Sequence, residues 1–250
     1  MSNILSVSTA QEWRGLLAAD YHWKPGYSAC TLASCWMASD GFPSEVAEAF
    51  RQSNEPLLAN IQPLVAAPEF KVPLPGGKRA SQSDLFVLAR SSAGLVTIVV
   101  EGKVQESFGP TLKDWESGKD NGSKNGNKES SISPGKKTRL AFLLNTLGLP
   151  ISISKRTRYQ LLHRTASALI TAEQFHAKAA VMLIHAFAKP NEKCSGWHDY
   201  DAFTGLFHVD AKAGVAQRLL GPTVPLFAIW VDGNPTFLQS EAFSANGEVL

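Results

Sequence analysis

The stretch Leu95-Val-Thr-Ile-Val-Val100 constrains the chain more than any other. It is β-branched and almost continuously apolar, as in a strand covered on both faces. The run leads straight into Glu101-Gly102-Lys103. Side chains alternate along a strand, so Glu101 and Lys103 share the face of Val99. A carboxylate and an ammonium at the end of a buried strand are costly unless paired, metal-bound or at a cleft edge. Such a strand requires a sheet with cover on both sides.

The neighbouring segments supply that sheet. Asp84-Leu-Phe-Val-Leu-Ala89 reads as a second strand, and the short turn at Ser91 to Gly94 makes the pair an antiparallel hairpin. Asp84 then comes beside Glu101. Helices are expected over Cys30 to Asp40 and, after Pro43, over Ser44 to Gln52. Glu55 to Gly77 holds five prolines and reads as a connecting, partly extended segment. Further helices are expected from Thr138 to Leu147, from about Lys155 to His176 and from Asp199 to Leu206, with strands at Ala179 to Phe187 and Pro225 to Val231. This order predicts an α/β fold, a mixed sheet with helices on both faces. The 250 residues suit one domain, with residues 1–52 as an N-terminal helical part and 118–136 as a flexible polar loop.

Composition narrows the functional classes. An apolar content of 44% with 18% charged residues excludes wholesale disorder. Net charge is only +2, yet Lys113 to Arg164 holds eleven Lys and Arg against four acids. The remainder is therefore slightly acidic, an asymmetry that allows a phosphate-facing side. Cys30, Cys35 and Cys194 form no C-x-x-C pair, so neither a disulfide framework nor a zinc ribbon is indicated. No apolar run is long enough for a membrane helix, and the N-terminus lacks a basic leader, so a cytoplasmic location is expected.

Two hard oxygen ligands, Asp84 and Glu101, with the amine of Lys103 nearby suit hydrolysis of a phosphodiester. Mg²⁺, with Mn²⁺ as a substitute, commonly uses one or two carboxylates and keeps several waters. It would polarise the phosphate and acidify a bound water, while Lys103 would orient that water and stabilise developing charge. The bland alternative is an ion pair at a sheet edge with Asp84 in a turn.

Asp84 followed by Glu101-Gly102-Lys103 resembles the D…(D/E)-x-K signature of the restriction-endonuclease-like, or PD-(D/E)XK, nuclease superfamily, although Ser81-Gln82-Ser83 precede Asp84 in place of a proline. The resemblance covers about Ser44 to Phe187. It implies a three-layer core with a mixed sheet between helices, a nuclease activity and DNA as the substrate. It also implies a site role for Gln160 and phosphate contact by Arg164, on the helix after the E-x-K strand. The basic segment containing Lys155 and Arg158 becomes a backbone-binding surface, and Glu45 or Glu48, on the helix before the hairpin, a third carboxylate. A homodimer or an activating protein partner remains open. The rival readings are a catalytically silent nucleic-acid-binding or regulatory module on the same fold and, more weakly, a cysteine hydrolase.

Overall fold

The computed structural model describes residues 4–18, 21, 23–118, 132–188 and 194–239. Three helices come first: α1 (Ala10–Leu16), α2 (Ser28–Met37) and α3 (Ser44–Gln52). An antiparallel run β1 (Gln62–Val72), β2 (Ser81–Ser91) and β3 (Gly94–Lys103) follows. Then come α4 (Leu112–Ser117), α5 (Pro134–Thr146), α6 (Tyr159–Gln174), β4 (Ala179–Ala186), α7 (Trp197–Thr204), β5 (Gln217–Leu219) and β6 (Leu226–Asp232). The strands form one six-stranded sheet in the order β1-β2-β3-β4-β6-β5. β4 is parallel to both β3 and β6, so the sheet is mixed.

Burial follows from strand position. β3 and β4 are central, and every residue of β4 is buried. Alternation sorts their side chains between two apolar layers. Leu85, Val100, Val181 and Leu183 pack with α1, α2 and α3. Phe86, Val99, Met182 and Ile184 pack with α5, α6 and α7. α6 lies close on the second face because Ala166, Ala168 and Ala172 leave little bulk between helix and sheet. The Thr97 hydroxyl donates to the Ala168 carbonyl at 2.9 Å and ties the helix to β3.

Two sequence expectations need correction. Nearly half of the proline-rich segment 55–77 is β1, an edge strand carrying Pro63 and Pro68. Proline lacks a backbone donor, which an edge strand can spare, and the register shifts between Pro63 and Val65. The expected loop 118–136 falls mostly on residues 119–131, outside the described residues; its end is already helical, with Ser133 capping α5 and Pro134 at its first position.

Candidate active site

Register builds the site. Leu85 pairs with Val100, which sets Asp84 opposite Glu101. Pro68 pairs with Leu85 and Phe70 with Ser83, which sets Glu69 opposite Asp84. Three carboxylates from β1, β2 and β3 thus stand in a row on the α6 side of the sheet. The same pairings put Gln82 opposite Lys103, one step along. Gly102 points to the other face, where an added Cβ would lie 3.2 Å from the Leu32 side chain, so its lack of a side chain lets α2 pack against β3.

Glu101 is the centre of the network. Lys103 donates to its Oε1 at 2.9 Å, and Gln160 donates to the same oxygen at 2.6 Å. Arg164 donates to Oε2 at 2.7 Å. The Gln160 amide oxygen accepts from Lys103 at 3.3 Å, so one amide bridges carboxylate and ammonium. Asp84 Oδ2 accepts from the Gly102 N–H at 2.9 Å, and Glu69 Oε2 accepts from the Gln82 amide at 2.6 Å. Among the described residues, Asp84 Oδ1 and Glu69 Oε1 make no hydrogen bond. Both residues, with Gln82, Gln160 and Arg164, line a cleft of about 350 Å³.

The charges do not balance locally: three carboxylates face two cations. Burial raises the Glu101 pKa, but Lys103 and Arg164 together outweigh it and hold the group ionised. Asp84 is pushed up to about 7, first by burial and then by the Glu101 charge. Glu69 is pushed up to about 8 by burial and by Asp84. Lys103, despite burial, is kept protonated by Glu101 and Asp84. Asp84 and Glu69, half-buried and each with an oxygen to spare, are hard oxygen donors of the kind a divalent cation takes.

Asp84, Glu101, Lys103 and Gln160 therefore lie together, and Arg164 joins them as a buried partner of Glu101. The other assigned residues do not. Arg158 pairs with Asp199 at 2.9 Å and donates to the Gly109 carbonyl, while Lys155 pairs with Glu116 at 2.5 Å. Glu48 lies at the surface, its side chain 44% exposed, and is bonded to Arg51 and Gln52. Glu45 belongs to the opposite face of the sheet, because α3 covers that face. The third carboxylate is Glu69, hidden in the proline-rich segment.

On that opposite face, Cys35, Glu45 and His185 bring metal-ligand atoms within 4.8 Å of one another. The hydrogen bonds argue against a cation there. Trp36 donates its indole N–H to His185 Nδ1 at 3.2 Å. Nδ1 must then carry the lone pair, and Nε2 carries the proton given to Glu45 at 3.1 Å. A metal on Nε2 would need that proton moved to Nδ1, where the indole can only donate. Burial also holds the Cys35 thiol far above its usual range. The cluster is a hydrogen-bonded polar core, and its burial beside Glu45 disfavours the Cys35 thiolate.

A family model described as a domain of unknown function, DUF6946, matches residues 6–235. The chain belongs to this family. The DUF6946 match takes in all six strands, both faces of the sheet and every residue of the carboxylate row. No curated protein and no solved structure matches the chain. Among the described residues, no helix is long and apolar enough to cross a membrane.

Proposed function

We propose that this DUF6946 protein is a metal-dependent nuclease of restriction-endonuclease-like fold, hydrolysing phosphodiester bonds with DNA as the preferred polymer. The observation that carries the reading is the row Glu69–Asp84–Glu101 beside Lys103, with unfilled carboxylate oxygens facing a cleft. The element order supports it: a helix, an antiparallel strand run bearing the D…E-x-K residues, a helix carrying Gln160, and a parallel strand.

Asp84 and Glu101 would hold Mg²⁺, or Mn²⁺ in its place, with Glu69 as an added carboxylate. The cation supplies polarisation of the scissile phosphate and a more acidic bound water. Lys103 remains an ammonium, so it acts by its charge and its hydrogen bonds rather than as a proton acceptor. Gln160 fixes the distance between that ammonium and Glu101. Arg164 keeps Glu101 ionised and oriented.

The test is turnover of plasmid, linear duplex, single-stranded DNA and RNA with Mg²⁺, Mn²⁺ or EDTA. Cutting is expected with either metal and absent in EDTA. Glu101→Ala should abolish it, and Lys103→Ala should lower it by roughly 10²–10³-fold. No cutting of any polymer by the folded wild-type protein would overturn the reading and leave the silent binding module.

A further inference from the structure

The cleft has a second lobe. Beside the carboxylate lobe lies a space of about 610 Å³ lined by Arg79, Lys103, Arg139, His163, Trp115 and Tyr159. Gln82, Gln160 and Arg164 line both spaces. One lobe is acidic and the other basic, so the cleft offers a cation site joined to an anion site.

Most cations of the basic lobe already have work. Lys103 and Arg164 serve Glu101. Arg139 donates to the carbonyls of Leu74, Pro75 and Gly77. His163 is kept neutral by burial and by the neighbouring arginines. Arg79 differs: it is exposed, lines the lobe, and has no hydrogen bond or ion pair among the described residues. Its charge nevertheless reaches the Tyr159 phenol inside the lobe.

The loop that carries Arg79 is held in place. The three bonds from Arg139 fasten it to α5, and a Cβ at Gly76 would run into the Gly135 carbonyl. Gly76 adopts φ 79°, which a larger residue resists. The guanidinium therefore projects from a fixed base. The aromatic walls are occupied: Trp115 stacks on Tyr159 at 4.1 Å with the Lys136 ammonium over its ring, and Tyr159 packs against His163 at 4.8 Å. Trp115 and Tyr159 are thus stacked on each other rather than turned open to a base.

We propose that the basic lobe is a phosphate subsite in which Arg79 binds the backbone phosphate next to the one placed at the carboxylate row. It rests on the reading of the cleft as a nucleic-acid site, and adds that the chain grips the strand by its backbone and not by its bases. Guanidinium groups suit this role because their paired donors match phosphate oxygens. Backbone contacts carry no sequence information.

The test is binding of a fluorescein-labelled oligothymidylate in EDTA, by anisotropy between roughly 50 and 200 mM salt. Arg79→Ala should weaken binding about tenfold, as for one charge-assisted contact, and reduce the salt slope by about one. A mixed-sequence strand should lose the same factor. The neighbouring Lys78→Ala, which removes equal charge outside the lobe, should change affinity far less. Equal effects of the two substitutions, or none from Arg79→Ala with its melting curve unchanged, would overturn the subsite. If binding depends on Arg79 while the wild type cuts nothing, the subsite stands and the nuclease reading fails. If cutting proceeds and Arg79→Ala binds normally, the reverse holds.

Discussion

Glu101 has two carboxylate oxygens and three side-chain donors, and that imbalance governs its neighbours. With Lys103 and Arg164 committed to it, Asp84 and Glu69 face one another without cations of their own. Their raised pKa values have a consequence for metal-free stability. Each folded-state carboxyl titrates above its unfolded value, so its contribution is fully present below the ordinary carboxyl range and lost as pH rises through about 7 for Asp84 and about 8 for Glu69. In EDTA the Tm should therefore fall between pH 5 and 9, and Glu69→Gln should flatten the fall. Added Mg²⁺ should restore more stability at pH 8 than at pH 5, because only the ionised carboxyls bind it. A Tm in EDTA that rises over this range would contradict the assigned shifts. Asp84, Glu101 and Lys103 were legible in the sequence because polar residues interrupted a buried strand. Glu69 was not, since nothing marks a glutamate among prolines.

β4 separates two polar clusters that the sequence shows only as scattered residues. Ile184 faces α6 beside the carboxylate row, and His185 faces α2 and α3. The histidine is bonded at both nitrogens, which makes it a structural residue of its layer. Trp36→Phe would strip His185 Nδ1 of its donor and should cost about 1–3 kcal/mol in urea unfolding. Metal-dependent cutting should persist, since the sheet stands between the two clusters. Loss of cutting at unchanged stability would show that this face takes part in the chemistry. The major helices and central strands followed from apolar periodicity and caps: α3 spans Ser44–Gln52, as the sequence predicts. β1 escaped because prolines suit both connectors and edge strands, and the three-residue β5 is too short for any pattern to register. Gly76 links elements in another way. Gly76→Ala should loosen the Arg79 loop from α5, and anisotropy should show weaker strand binding together with a lower Tm. Unchanged values for both would show that the loop is held by other contacts.

At the scale of the molecule, the sheet places three carboxylates from three strands beside one helix, and loops before β2 and after β3 enclose them. The net positive segment Lys113–Arg164 was visible from composition alone. Its individual roles were not, because ion pairs such as Lys155–Glu116 and Arg158–Asp199 join residues far apart in the chain. Arg79, which has no ion pair among the described residues, lies in another loop of the cleft. Two clusters on opposite faces of one sheet present carboxylates, and the proposal puts the cation at the row beside α6 rather than at Cys35, Glu45 and His185. Calorimetric titration of Mn²⁺ into metal-free protein at pH 8 separates them. Binding should be lost in Asp84→Asn and kept in His185→Gln. Absence of binding in the wild type, or binding that survives Asp84→Asn and disappears in His185→Gln, would contradict the account.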